Sequence, residues 1–262
     1  MNKIPSLLPL IQKVQAEIQK VANPETKIFI EKYMKGIETY RGVKYTQMKD
    51  VFKVLWANDI KNLSTELKKE LAHALIQEEH SEDRYIGLLI FEKLPKEINL
   101  EDVNKFQNLF EKGHLRGWAT TDLTSSRVFK NFVKGNPKNT DHIATWKDSD
   151  NIWLQRASCV SFVVLAKHGD KAPNFPGFLK GRIDTCEITI NNPERFVQLG
   201  TGWLLREIGI ADKRMLTDFI SSNMEEFSRE GLRYAIEKLD TEEQKSILDK
   251  HKEKSLKNKF SA

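Results

Sequence analysis

The chain has 262 residues, of which 39% are hydrophobic and 30% charged, with a formal net charge of +5. These proportions allow one substantial buried core and exclude a disordered polyelectrolyte, and no apolar run approaches the roughly 18 residues that cross a bilayer. The positive excess is compatible with a polyanionic partner without requiring one.

From Met1 to Val21, Lys and Gln are interleaved with apolar residues and no uninterrupted apolar centre forms. This does not read as a secretory signal, and a cytoplasmic location is expected. Asn23-Pro24 places a capping side chain before a proline at a first helical position. Met48, Val51, Phe52, Leu55 and Trp56 recur at i, i+3, i+4, i+7 and i+8, which predicts an amphipathic helix that needs a partner. Arg127, Lys130 and Lys134, at i, i+3 and i+7, read either as a basic stripe able to track phosphates or as a solvated helix face. Gly135 to Ser149 reads as a loop within the domain, and Pro173 to Pro176 as a second break. Cys159 and Cys186 lie in apolar helical surroundings without metal-site spacing and are expected to be buried structural thiols.

Asn192-Pro193 repeats the capping signal, and Gly36, Gly113, Gly169 and Gly209 fall where helix C-caps are wanted. Asp240-Thr241-Glu242-Glu243 reads as a capping box that starts a last helix. Residues 250–262, rich in lysine and poor in apolar side chains, are expected to form a flexible basic tail. Strand signals are nearly absent throughout, so the predicted fold class is all-α.

Helices carrying Arg84, Arg156, Gln198 and Arg233 resemble one another in setting a polar residue before small ones. The last two intervals, 42 and 35 residues, are near the roughly 40-residue period of HEAT-like repeats, and the longer first interval has room for a degenerate copy. The expectation is one HEAT-like solenoid domain over residues 1–262, with a concave basic groove. The same small residues also fit simple close packing of helices.

No phosphate-binding loop, nucleophile elbow or zinc-protease motif is present, and the 6 histidines are scattered, so neither a metal nor a small-molecule cofactor is expected. Three tryptophans sit beside charge at helical spacing: Trp118 with Asp122, Trp153 with Arg156, and Trp203 with Arg206. Each pair either lines a groove or is a core anchor beside a paired charge, as Arg206 could be with Glu207.

Gly117-Trp118-Ala119-Thr120-Thr121-Asp122 resembles the Trp-x-x-x-Asp segment of the AlkD-like DNA alkylation repair enzymes, which are HEAT-like-repeat DNA glycosylases. Asn151-Ile152-Trp153-Leu154-Gln155-Arg156-Ala157 and Gly202-Trp203-Leu204-Leu205-Arg206-Glu207 resemble two further helices of that family. Tyr33-Met34-Lys35 followed by Gly42-Val43 resembles its opening motif, while Tyr45, Met48, Ala119 and Leu199 depart from its common residues. The resemblance implies excision of N3- or N7-alkylated purines from duplex DNA. It implies that Asp122 stabilises an oxocarbenium-like sugar, that Trp118 and Trp203 flank the lesion, and that Arg156, supported by Arg206, grips a nearby phosphate. A monomer that engages the backbone without a base pocket is expected. The competing expectations are a non-catalytic HEAT-like scaffold for protein or nucleic acid, with the Trp and Asp side chains packed away, and a relative specialised for other lesions or DNA structures.

Overall fold

The computed structural model describes residues 7–134, 136–171 and 176–261, with side chains to Lys254. Among the described residues every regular element is helical, apart from a single isolated bridge between Thr39 and His80. The fold class is all-α. The chain divides into two compact units, Met1–Thr124 and Ser125–Ala262. No proline or glycine marks this boundary, which falls inside a π-helical turn, Thr124–Val128.

The first unit holds α1 (Leu8–Lys20), α2 (Pro24–Tyr33), α3 (Tyr45–Leu55), α4 (Thr65–Ile76), α5 (Ser81–Glu92), α6 (Leu100–Glu111) and α7 (Trp118–Leu123). Helix α2 starts as its sequence predicts, with the Asn23 side chain accepting from the Thr26 amide at 2.8 Å ahead of Pro24. Helix α3 buries Met48, Phe52 and Leu55, the centre of the predicted stripe, then continues as a π-helical turn, Trp56–Ile60. α4 and α5 pack closely because Gly87 leaves no side chain where α4 passes: a Cβ there would lie 2.5 Å from the Ala72 carbonyl oxygen.

Glu82, fully buried at the start of α5, accepts from the backbone amides of Arg41, Gly42 and Val43 at 2.9 to 3.0 Å. One carboxylate thereby satisfies three amides of an irregular segment that has no ladder of its own. α2 is anchored to the same segment through the Asn23 amide, which donates to the Gly42 carbonyl at 3.0 Å, and through Glu31, which accepts from the Tyr40 amide at 3.1 Å.

The second unit holds α8 (Lys130–Val133), α9 (Pro137–Ala144), α10 (Ile152–Val160), α11 (Val163–Ala166), α12 (Phe178–Thr189), α13 (Arg195–Ala211), α14 (Lys213–Ser222), α15 (Arg229–Ala235) and α16 (Thr241–Ser261). α13 is its organiser, packing on α10, α12, α14 and α15. Gly202 permits a close approach to α15, since a Cβ there would meet the Gly231 carbonyl oxygen at 2.6 Å. Cys159 and Cys186 are free and buried, as expected, with Cys159 Sγ 3.4 Å from the Thr189 hydroxyl.

Several local expectations need correction. Residues 137–144 are helical rather than looped, because Asn136 caps α9 by accepting from the Asn139 amide and Thr140, Ile143 and Ala144 are buried. The expected break at Pro173–Pro176 lies outside the described residues except for Pro176. Asn192 accepts from the Glu194 amide, so it closes a turn, and α13 begins only at Arg195. Gly209 lies inside α13 against Leu216 rather than at its end, whereas Gly36, Gly113 and Gly169 do adopt the left-handed backbone of a helix stop. Asp240 accepts from the Glu243 amide and α16 starts at Thr241, but its backbone stays helical to Ser261, through the segment read as a tail.

Of the four repeat-marking residues, Arg84, Arg156 and Gln198 are buried and donate to backbone carbonyls. Arg84 and Gln198 satisfy the loop immediately before their own helices, at Glu78 and Glu79 and at Ile190 and Asn192. Arg233 is exposed and shares none of this.

Candidate nucleic-acid interface

Helix α7 is built on an unusual face. Thr120, Thr121 and Thr124 are fully buried, with the Thr120 hydroxyl donating to the Gly117 carbonyl at 3.0 Å and the Thr124 hydroxyl to the Thr120 carbonyl at 2.8 Å. Small side chains, with the Thr120 and Thr124 hydroxyls satisfied by their own backbone, let the helix lie close to its neighbours. The opposite side then carries Trp118 and Asp122, four residues apart and half-buried, as their spacing predicts.

Trp118 is not alone. Tyr33 meets it edge to face, with centroids 6.4 Å apart, and Phe29 lies parallel to Tyr33 at 6.5 Å. Ile28, Phe29 and Tyr33 are 68%, 70% and 66% exposed, and α2 contains no buried residue at all. An exposed aromatic row flanked by the exposed Lys32 and Lys35 is a surface made to be covered. Tyr33 entered the sequence reading only through the opening motif, and Phe29 was missed. The available signal was their i, i+4 spacing on a helix whose other apolar positions offer no continuous stripe.

Beside this row, burial and then the Arg84 guanidinium hold His114 below the ordinary imidazole range. Arg116 is exposed.

The basic residues after Asp122 are also exposed, but they do not form one regular stripe. Arg127 lies in the π-helical turn, Lys130 opens the four-residue α8, and Lys134 has already left the helix with extended backbone angles. The helical spacing on which the stripe depended is interrupted twice.

In the second unit, tryptophan and charge are arranged differently. Trp153 and Arg156 on α10 are both buried, Arg156 at 5% exposure, with its Nη1 donating to the Phe196 carbonyl at 2.7 Å. Trp153 packs against the Phe196 ring with centroids 5.2 Å apart, the core-anchor arrangement. On α13, Trp203 is half-buried and its indole N–H donates to Glu207 at 3.3 Å.

Arg206 donates to Glu207 through Nε and Nη2, at 3.1 and 2.7 Å, and to Glu237 through Nη1 at 2.6 Å. Its guanidinium lies 4.7 Å from the Tyr234 ring centroid and 5.9 Å from that of Trp203. Burial opposes the charge, but the hydrogen bonds to Glu207 and Glu237 outweigh it and raise the Arg206 pKa. Arg206 in turn keeps the Glu237 carboxyl below its ordinary value.

Among the described residues no group of three or more His, Cys, Asp or Glu is placed to hold a metal ion, and no helix is long and apolar enough to cross a membrane. The family described as DNA alkylation repair enzyme matches residues 14–239. Comparison with curated proteins returns no match. Among solved structures, a protein described as a predicted DNA alkylation repair enzyme from Enterococcus faecalis superposes with a TM-score of 0.71 at 17% identity, covering 84% of this chain and 97% of that one. At that identity the likeness speaks for the fold.

Proposed function

Because this chain belongs to the DNA alkylation repair enzyme family, we propose that it is a DNA glycosylase that releases purines alkylated at N3 or N7 from duplex DNA. The observation that carries the reading is the presentation of Asp122 and Trp118 on one side of α7, next to the exposed aromatic row of α2.

An alkylated purine of this kind is already cationic, so it needs no proton in order to leave. The C1′–N9 bond breaks with its electron pair on the departing base, which becomes neutral, and positive charge develops on the deoxyribose. A carboxylate facing that charge stabilises the transition state, and it can accept the proton of the water that adds to C1′. Asp122 takes this part, and Trp118 offers the π face that a cationic nucleotide attracts. Phe29 and Tyr33 extend the apolar surface against which bases or sugars pack.

Trp203, Arg156 and Arg206 are assigned to the same duplex from the second unit. Arg156 serves a phosphate near the lesion while its Nη1 holds the Phe196 carbonyl. Arg206 reaches the backbone by exchanging Glu237, the more exposed of its two carboxylate partners. Arg127, Lys130 and Lys134 add non-specific phosphate attraction. The proposal includes a HEAT-like repeat arrangement with a concave basic groove, a single domain and a monomeric cytoplasmic protein. The buried Arg156 and the paired Arg206 favour a second reading, a scaffold that binds without excising.

The deciding experiment is incubation with duplex DNA carrying one N7-methylguanine or N3-methyladenine, followed by alkaline cleavage at abasic sites. Release above the spontaneous rate is expected for the wild type and not for Asp122→Asn. Equal release by both proteins would reject the reading, and binding without release would favour the scaffold.

A further inference from the structure

Helix α7 starts without local help. Its N-cap, Gly117, has no side chain to cap with, and no acidic residue stands in the first turn. A carboxylate arrives from elsewhere in the unit: that of Glu38, whose side chain is fully buried. Both of its oxygens lie against Gly117, so closely that a Cβ added at Gly117 would overlap Oε2.

Glu38 is itself held from behind. Its Oε1 accepts from Arg84 Nη1 at 3.0 Å and its Oε2 from the Tyr40 hydroxyl at 3.1 Å. Arg84, only 3% exposed, has its other two nitrogens on the Glu78 and Glu79 carbonyls at 3.1 and 3.0 Å. Each nitrogen of that guanidinium plane thus donates to a fixed acceptor, and the carboxylate is seated rigidly. Burial, and next the Glu38 charge, push the Tyr40 hydroxyl far above the ordinary phenol range, so Tyr40 remains a donor to Glu38 at every working pH.

We infer that Glu38 and Arg84 are positioning residues, a buried ion pair that seats Gly117 and thereby fixes the placement of Trp118 and Asp122 on α7. This inference rests on the proposed part of α7 in base release. A six-residue helix rich in β-branched threonine has little intrinsic stability, so its register depends on what it is seated against. Glycine is required at 117 for the same reason, since any larger residue displaces either the carboxylate or the helix.

The test compares Glu38→Gln, Arg84→Lys and Gly117→Ala with the wild type. Three quantities are measured: single-turnover release from alkylated duplex, affinity for a duplex with an abasic-site analogue, and the indole N–H resonance of Trp118, assigned with Trp118→Phe. The expected result is a fall of about tenfold to a hundredfold in release rate per folded molecule, with affinity maintained and the Trp118 resonance moved. In a Glu38→Ala background, Gly117→Ala should add little further loss, because the overlap it creates has been removed.

Wild-type release rates with an unmoved Trp118 resonance would overturn the inference. So would losses of rate and affinity that merely track the folded fraction. Should the wild type release no purine, the catalytic reading fails separately and the resonance alone decides: moved in Glu38→Gln and Gly117→Ala, positioning stands; unmoved, it falls. If Glu38→Gln does not fold, Gly117→Ala and Arg84→Lys carry the same comparison.

Discussion

Two helices carry tryptophan and charge at almost the same spacing, yet their surroundings differ. On α7, Trp118 and Asp122 stand on a half-exposed side against the open aromatics of α2. On α13, Trp203 and Arg206 are tied to Glu207, Glu237 and Tyr234. A charged residue beside a tryptophan can serve a ligand or the fold. On the proposed function Asp122 should matter mainly for turnover, whereas the bonds of Arg206 to Glu207 and Glu237 should make it matter mainly for stability.

The sharpest way to break that contrast is Asp122→Asn. On the proposed function this removes one charge facing the sugar and should lower alkylpurine release by about a hundredfold or more, with thermal unfolding unchanged, as read by abasic-site cleavage and calorimetry. A matching fall in unfolding temperature would place Asp122 with Arg206. Next is Arg206→Ala, which removes a guanidinium stacked on two aromatic rings and leaves Glu207 in a largely buried position. A stability loss of about 2 kcal/mol is expected from urea unfolding at neutral pH.

That loss carries a pH signature. Arg206 holds Glu237 below its ordinary value of 4.5, so this part of the stabilisation is present above 4.5 and disappears as pH falls through the depressed value. The gap between wild type and Arg206→Ala should therefore narrow on acidification. Because Glu237 is half exposed, the narrowing should be modest.

A smaller effect is expected from Phe29→Ala on the other side of the contrast. Removing one exposed ring should weaken duplex binding by about 1 kcal/mol in a fluorescence-anisotropy titration, and leave the unfolding midpoint in place. The smallest change belongs to Lys130→Ala, which should flatten the dependence of log affinity on log salt by about one charge.

Much of the fold was legible in the sequence, for identifiable reasons. The i, i+4, i+7 spacing of Met48, Phe52 and Leu55 announces α3, and Asn23-Pro24 announces the start of α2, because both signals depend only on neighbours in the chain. Asn136-Pro137 carries the same signal, but beside Gly135 and many polar residues it reads as part of a loop, although Ile143 and Trp146 were there to bury. The seating of Gly117 by Glu38 could not be read, since they lie 79 positions apart and no local pattern links them. Nor could the sequence say that Arg206 reaches Glu237, because ion pairing across helices leaves no periodic trace.

Helix α2 contributes no buried side chain, and it is moored to the unit chiefly through main-chain and capping hydrogen bonds. Substitution of Ile28 and Phe29 is consequently almost unconstrained by folding. Natural drift or a combinatorial library could rewrite that outer surface to accommodate differently shaped adducts, while α7 stays untouched. On the proposed function, α2 would offer an adaptable surface apart from the reacting group on α7, and variants selected for new lesions should accumulate their changes on α2.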